Sequence, residues 1–303
     1  MPVGARAPRA ARHTGRVRPV FVRGVRAPRP ALSPTEALLL ASLLKSLYHV
    51  TVPLRVRRAL RLTRFTPSRQ GRARLWRQTQ GRVAAGPFAG MRLAGDLPDD
   101  SAPNELLGSF ECELHPWIDA ELARGWGTVV NIGSGGGYYS TGMALRLPAA
   151  TVYAFELQDS QREATKRSAE RNGVGERVHA LGAATTASLS ACRVDREQGA
   201  LVICDCEGAE RDILDPAQVP WMLRSTLIVE LHDFAAAGAT DTLRARFAPT
   251  HAIEIIDQQP RDAAEWASRA GVSVADSRLL ADEQRLWGTE VIAARWMLLR
   301  PLA

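Results

Sequence analysis

The sequence has few of the features that mark a secreted or membrane-embedded protein. Only four cysteines occur in 303 residues, which is too few for a disulfide framework in a chain of this size. Uncharged apolar runs are short: the longest, 37–44, ends at Lys45, whereas a membrane-spanning helix needs about 18 residues. These absences exclude a disulfide-stapled scaffold and predict a reduced, cytoplasmic protein without a transmembrane segment.

Acidic residues are almost missing from the first third of the chain. Residues 1–92 contain 20 Lys or Arg and a single acid, Glu36, whereas the other 211 residues contain 19 basic and 31 acidic residues, a net charge of −12. A basic arm on an acidic domain can dock on nucleic acid or another acidic partner. Because no aromatic interleaving or RNA-binding motif accompanies the charge, we expect no nucleic-acid partner. A bias towards Arg and Ala, with only two lysines, is the simpler interpretation.

Composition divides the chain into three parts. Residues 1–32 are rich in Arg, Pro and Ala without an apolar period, and predict a basic disordered arm. A transit peptide and an over-extended start are alternatives for this stretch. Residues 33–104 predict a basic helical extension and linker, which begins with a capping box at Ser33 and Glu36. Residues 105–303 form the main domain, and nothing in the sequence specifies an oligomeric state.

Strands and helices alternate through the main domain, which predicts an α/β fold with a doubly wound parallel sheet. A strand over 129–132 precedes a helix over 138–147, and a strand over 150–155 precedes a helix over 160–172. We expect further strands at 178–181, 200–204, 227–231, 252–256 and 291–299, and further helices at 54–62, 68–79, 113–122, 243–247, 262–270 and 276–287.

A glycine turn is the clearest functional signal. The first strand leads into GSGGG, with Gly133, Gly135 and Gly137 in alternate positions, and a helix follows. Such a turn brings bare backbone and a helix N-terminus up to a ligand. The dinucleotide pattern G-x-G-x-x-G is not met, because Tyr138 stands where the last glycine would fall. Glu156 ends the next strand, where a carboxylate can accept both hydroxyls of a ribose.

A second set of segments identifies the family that the chain resembles. These segments are GSFECEL at 108–114, VVNIGSGGGYYS at 129–140, VYAFE at 152–156, DCEGAE at 205–210 and IVELHDF at 228–234. In order and spacing they resemble the FkbM-like branch of class I methyltransferases that use S-adenosylmethionine (SAM). The resemblance covers about residues 106–251, and DCEGAE is its most specific part. It implies a Rossmann-like seven-stranded sheet of order 3-2-1-4-5-7-6 with the last strand antiparallel, and an N-terminal helical extension lies outside it.

The resemblance also implies the cofactor, SAM, and its contacts. The first strand ends at Asn131 where the family usually has an acid, and LGAAT at 181–185 lacks the usual Asp or Asn. An amide at Asn131 can still accept a hydrogen bond from the SAM ammonium, but without charge assistance. The expected cofactor contacts are Glu111, Asn131, Gly133, Ser134, Gly135, Gly137, Glu156, Leu157, Ala183 and Asp205.

The catalytic candidates follow the fourth and fifth strands. Asp205 lies at the mouth of the expected site, and Glu230, His232 and Asp233 lie on its far side. His232 is a candidate base, because imidazole is the side chain whose ordinary pKa lies nearest neutral pH, or else it is a histidine satisfied by neighbouring acids. These side chains could also group around a magnesium ion, but no spacing compels it and we assign no metal ligand.

Other residues near these motifs have simpler interpretations. We expect Glu210 to cap a helix, and Glu111 either to close over the cofactor or to be a surface glutamate. Cys204 and Cys206 are expected to be small buried hydrophobes whose side chains point to opposite faces. His251, Trp287 and Trp296 are expected in the core.

Two functions of different classes fit the sequence. The first is a SAM-dependent methyltransferase that acts on an oxygen of a sugar or other small metabolite. The second is a non-catalytic Rossmann-like binding protein that docks on an acidic partner through its basic arm. An NAD-dependent oxidoreductase is a distant third.

Overall fold

The computed structural model describes residues 69–95, 103–271, 285–287 and 290–302, all in one compact unit. The helices are α1 (Arg69–Thr79), α2 (Pro103–Leu107), α3 (His115–Arg124), α4 (Tyr138–Arg146), α5 (Asp159–Arg171), α6 (Thr186–Ser190), α7 (Glu210–Ile213), α8 (Ala239–Phe247) and α9 (Ala263–Ala270). The strands are β1 (Thr128–Ile132), β2 (Thr151–Phe155), β3 (Val178–Leu181), β4 (Leu201–Cys204), β5 (Thr226–Glu230), β6 (His251–Asp257), β7 (Arg285–Trp287), β8 (Glu290–Ile292) and β9 (Arg295–Pro301).

Seven of these strands form one sheet in the order β3-β2-β1-β4-β5-β9-β6. Neighbouring strands from β3 to β5 are parallel, and β9 runs antiparallel to both β5 and β6. Because β9 is the seventh sheet strand along the chain, this order is 3-2-1-4-5-7-6 and confirms the predicted fold. The sheet therefore has the order and strand directions that the resemblance implies for class I methyltransferases.

The central strands are apolar because helices cover both faces of the sheet. Every residue of β1, β4 and β5 is buried, the pattern expected of strands in a doubly covered parallel sheet. Alternate residues face two separate apolar layers: Val129 and Ile203 belong to one, and Val130 and Val202 to the other. Burial in both layers fixes the register, since a shift by one residue would exchange the two faces.

The chain ahead of β1 packs against the start of α4. Phe88 and Phe110 make edge contacts with the ring of Tyr138, at centroid distances of 5.4 and 5.2 Å. Gly142 on α4 allows this approach, because a Cβ there would lie 2.5 Å from the Phe88 ring. The contact brings the segment around Glu111 to the N-terminus of α4, directly after the glycine turn.

The C-terminal part of the chain differs from the sequence prediction in two places. The predicted strand 291–299 is wrong in its bounds: 290–292 pairs with 285–287 as a separate hairpin, and the sheet strand is Arg295–Pro301. Pairing with β6 extends β9 to Pro301, since the ladder runs from Asp257 opposite Arg295 to His251 opposite Pro301. The predicted helix 276–287 is also wrong at its end, because 285–287 is a strand. Its remainder lies outside the described residues.

The predictions for residues 1–68 lie outside the described part of the chain, including the arm, the capping box at Ser33 and the helix over 54–62. The predicted helix over 68–79 is confirmed as α1. Within the described ranges, none of the helices is both long enough and apolar enough to cross a bilayer.

Candidate functional site

The glycine turn is held tightly between the ends of β2 and β4. Gly133 and Ser134 both donate backbone hydrogen bonds to the carbonyl of Phe155, at 2.9 Å each. Gly133 has a φ of +77°, and a Cβ on it would lie 1.7 Å from the carbonyl oxygen of Asp205. Gly133 is therefore required by the close packing of the β1 and β4 loops, independently of any ligand.

Gly135 plays a different part from Gly133. It has a φ of +49°, and a Cβ built on it would meet nothing within 4 Å. Its carbonyl accepts a hydrogen bond from Thr165 at 2.9 Å, so the turn is fixed although the space beside it is open. The hydroxyl of Ser134 is buried and has no hydrogen-bond partner among the described residues. The turn thus offers an open cradle and a spare hydroxyl to a ligand.

Glu156 lies beside this cradle as the sequence predicted. One carboxylate oxygen accepts the Gly135 N–H at 3.0 Å, and the other accepts the Gln158 N–H at 2.9 Å. These two bonds hold the carboxylate in place and leave lone pairs for two further donors. Leu157, the next residue, is 67% exposed, and Ala183 in the loop after β3 is also exposed. The edge of the sheet therefore presents a fixed acceptor next to an apolar surface.

Asn131 and Glu111 are engaged with the protein itself. The Asn131 oxygen accepts a hydrogen bond from Ser140 at 2.7 Å, and its amide donates to the Ile203 carbonyl at 3.3 Å. Glu111 is only 1% exposed, has a φ of +46°, and accepts a hydrogen bond from the Tyr139 hydroxyl. The interpretation of Glu111 as a surface residue is therefore wrong. Both residues brace the start of α4, and a contact with the cofactor stays a prediction for each.

The catalytic candidates gather at the carboxyl ends of β4 and β5. The Nε2 atom of His232 lies 3.4 Å from Oδ1 of Asp205 and 3.6 Å from Oε2 of Glu230. One ligand atom from each of the three residues lies within 4.8 Å of the others. We call Asp205, Glu230 and His232 the carboxylate–histidine cluster. The side chains of Glu230 and His232 are buried, whereas Asp205 is 28% exposed and faces the open side.

Asp233 does not belong to this cluster. Its carboxylate accepts hydrogen bonds from the Thr240 amide, at 3.1 Å, and from the Thr240 hydroxyl. The side chain is exposed and ties the loop to the first turn of α8. Asp233 therefore does not join the other three side chains around an ion as the sequence suggested, and its place on the far side of the site stays a prediction.

Glu210 is a contact that sequence reasoning did not find. Its Oε1 accepts the backbone N–H of His232 at 2.9 Å and lies 3.3 Å from Nδ1 of the same ring. Its Oε2 accepts the Gly208 N–H at 2.9 Å, just before α7. A helix-capping role was expected, but the carboxylate also joins α7 to the loop after β5. The motif DCEGAE itself gives no signal for this partner 22 residues away.

Glu210 makes stability depend on pH. Burial raises the pKa of this carboxyl, but the hydrogen bond and charge of His232 outweigh it and hold the pKa below its usual 4.5. A lowered folded-state pKa means that the stabilisation is complete above pH 4.5 and is lost as the pH falls through the folded-state value. We expect Glu210→Gln to cost about 2–3 kcal/mol at pH 7 and distinctly less at pH 3.5. Urea unfolding at both pH values measures the difference, and Glu197→Gln is the exposed control. An equal cost at both pH values would contradict this origin.

Two other sequence predictions have clear outcomes. Cys204 and Cys206 do not point to opposite faces: their sulfur atoms lie 3.5 Å apart. The expectation of opposite faces is wrong, because side chains two residues apart along a strand lie on the same face. The strand β4 itself ends at Cys204. Neither thiol is part of a disulfide.

His251 is buried and contacts the Ser225 carbonyl at 3.1 Å, and Trp296 is fully buried, so both belong to the core. Burial lowers the pKa of His251.

Comparison with known proteins finds one partial relative among curated proteins and solved structures of low similarity. No protein-family model matches the sequence. A stretch of 93 residues, 27% of the chain, is 33% identical to ribosomal protein L11 methyltransferase of Citrobacter koseri. The match spans only 31% of that protein's length.

Solved structures resemble the chain at low identity. The cofactor-bound protein Rv0187 from MTB is 18% identical, with a TM-score of 0.39 over 63% of this chain and 78% of that one. The O-methyltransferase TomG from Streptomyces achromogenes, in complex with SAM, is 14% identical, with a TM-score of 0.37 over 77% of this chain and 89% of that one. Likeness at this level carries no functional argument, so the chain's own site residues must carry it.

Proposed function

We propose that the protein is a SAM-dependent methyltransferase that methylates an oxygen of a sugar or another small metabolite. The observation that carries the proposal is the open cradle at Gly135, whose backbone amide is bonded to the fixed carboxylate of Glu156. A ligand in this cradle would place its ribose on Glu156 and its adenine against Leu157 and Ala183. The similar O-methyltransferase TomG was solved in complex with SAM, which agrees with this cofactor. The resemblance to FkbM-like enzymes points to oxygen as the acceptor atom.

The cradle and the carboxylate–histidine cluster lie side by side. The backbone of Asp205 packs directly on Gly133, and its amide donates to the Ile132 carbonyl at 2.9 Å. A sulfonium methyl group held by the turn would therefore face the open side of the cluster. Phe234, partly exposed with its ring 5.5 Å from that of His232, adds an apolar wall for the acceptor.

The chemistry needs an aligned acceptor and a proton acceptor. In the proposed reaction the acceptor oxygen forms a bond to the methyl carbon, and the bond from that carbon to sulfur breaks. The electron pair stays on sulfur, which yields S-adenosylhomocysteine (SAH), and the hydroxyl proton passes to a carboxylate. Asp205 is the exposed member of the cluster, so we assign it this role, with His232 and Glu230 behind it.

Removal of the Glu156 carboxylate tests the cofactor assignment. We expect Glu156→Ala to weaken SAH binding by roughly 100-fold, because it deletes two charge-assisted hydrogen bonds to the ribose. Calorimetry with SAM, SAH and NAD measures the effect, and Glu197→Ala, an exposed glutamate ahead of β4, is the matched control. Tight binding of NAD, or unchanged SAH affinity in Glu156→Ala, would overturn the assignment. Failure of the wild type to bind SAM or SAH would instead favour the non-catalytic binding protein.

The methyl acceptor needs a separate experiment. Transfer of a labelled methyl group from SAM to a set of sugars and other hydroxylated metabolites tests the choice of oxygen. We expect an alkali-stable ether product. Transfer confined to amines or thiols would contradict O-methylation and leave the cofactor assignment intact.

A further inference from the structure

We propose that Asp205, Glu230 and His232 bind a first-row divalent metal ion such as Mn²⁺. Binding of the ion follows from the cluster alone. Its role as a holder of the acceptor hydroxyl rests on the proposed function. The sequence alone suggested magnesium as the ion. Because His232 supplies an imidazole nitrogen, the three donors favour a first-row transition metal instead.

The spacing of the cluster fits ligands around one ion. The Nε2 atom of His232 lies 3.4 Å from Asp205 and 3.6 Å from Glu230, both beyond the roughly 2.7–3.2 Å of N–H···O hydrogen bonds. Ligands bound at about 2.0–2.2 Å in tetrahedral or octahedral geometry are separated from their neighbours by about 3.0–3.5 Å. The two separations measured from Nε2 are therefore close to those between neighbouring ligands of one ion, and all three ligand atoms lie within 4.8 Å of one another.

The chemistry of the donors selects the type of metal. Two carboxylates and one imidazole suit Mn²⁺, Fe²⁺, Co²⁺ or Zn²⁺, whereas Mg²⁺ and Ca²⁺ prefer oxygen ligands throughout. The three donors come from the ends of two adjacent strands, so the sheet holds them in position. Because Glu230 and His232 are buried and Asp205 faces the open side, an ion here would keep open positions towards the acceptor.

Glu210 provides the support that a metal-binding histidine needs. Its Oε1 lies 3.3 Å from Nδ1 of His232 and also accepts the backbone N–H of that residue at 2.9 Å. A proton on Nδ1 directed at Glu210 leaves the Nε2 lone pair aimed into the cluster. A carboxylate behind a histidine is the usual arrangement around protein metal sites, where it fixes the tautomer and the ring orientation. We therefore assign Glu210 as a positioning residue.

The ion would serve methyl transfer by acting on the acceptor. A divalent ion lowers the pKa of an oxygen bound to it, so the acceptor hydroxyl loses its proton more easily. Asp205, whose side chain is 28% exposed, stays the residue to which we assign that proton. The acceptor oxygen then forms its bond to the methyl carbon, and the bond from that carbon to sulfur breaks, as in the proposed reaction.

Titration of chelator-treated full-length protein with Mn²⁺ tests the site, with electron paramagnetic resonance and calorimetry as readouts. We expect one saturable Mn²⁺ per chain and an affinity at least tenfold lower in Glu230→Gln and in Asp205→Asn. The matched control is Asp233→Asn, which removes one charge from the same loop while the new amide can still accept from Thr240. Circular dichroism establishes that each variant is folded.

Two results would overturn the metal site. The first is wild-type protein that binds no Mn²⁺ saturably. The second is Mn²⁺ binding that persists unchanged in both cluster variants. SAH affinity measured in the same samples separates this proposal from the proposed function: Glu230→Gln should lose Mn²⁺ and keep SAH, and Gly135→Val should do the reverse.

Discussion

Replacement of Gly135 by valine is expected to abolish SAM and SAH binding, by at least 100-fold, in a protein that remains folded. A Cβ at this position meets nothing within 4 Å, so the larger side chain enters the space that the ligand needs. The backbone φ of +49° adds strain, on the order of 1–2 kcal/mol, because residues other than glycine avoid left-handed conformations. Calorimetry with SAH and urea unfolding measure the two effects separately.

Gly173 supplies a matched control for this substitution. It ends α5 with a φ of +72°, also has nothing within 4 Å of a built Cβ, and lies away from the cradle. Gly173→Val should therefore lose a similar amount of stability through backbone strain and keep full SAH affinity. Equal SAH affinity in Gly135→Val and Gly173→Val would show that the cradle holds no cofactor.

Replacement of Gly133 by alanine is expected to destabilise the fold itself. The new Cβ would lie 1.7 Å from the Asp205 carbonyl oxygen and 2.7 Å from its carbonyl carbon, so the β1 and β4 loops would have to separate. We expect a loss of at least about 3 kcal/mol in the free energy of unfolding, or failure to accumulate as soluble protein.

The matched control for Gly133 is Gly90, which has a φ of +89° and open space around a built Cβ. Gly90→Ala should cost only the strain of the left-handed backbone, about 1–2 kcal/mol. If Gly133→Ala were no more destabilising than Gly90→Ala, the close contact between the two loops would be wrong. Substitution of two glycines only two residues apart thus has different predicted effects: at Gly133 it lowers stability, and at Gly135 it lowers ligand affinity.

Sequence patterns alone predicted the central strands and the glycine turn. Apolar runs such as 129–132 and 200–204 are short, bounded by turn residues and buried on both faces, which makes their position unambiguous. The order of the strands came from the resemblance to a family, because periodicity carries no information on which strands are neighbours. The place of the Glu156 carboxylate beside the glycine turn was predictable, because Glu156 directly follows a strand next to the turn.

Contacts between distant segments were not predictable. Glu210 reaches His232 across 22 residues, and Phe88 reaches Tyr138 across 50, and no local pattern encodes such pairs. The direction of Asp233 depends on its bonds to Thr240 in the following helix. For the same reason the burial of Glu111 against Tyr139 could not be recognised from the sequence.

A buried ion pair between two distant segments was likewise not predictable from the sequence. Arg261 lies 3.5 Å from Glu113, and both side chains are buried between the segment after β6 and the segment before α3. Nearby, burial lowers the pKa of His115 to about 4, so this ring is neutral at physiological pH. Only the folded chain brings these residues together, since more than 140 positions separate Glu113 from Arg261 in the sequence.

A crystal structure of the protein with SAH bound tests the central claim most directly. The account predicts the ribose hydroxyls on the Glu156 carboxylate, the backbone of Gly135 against the ligand, and the sulfur atom facing Asp205, Glu230 and His232. Density for SAH at any other position, or with its sulfur turned away from that cluster, would contradict the account.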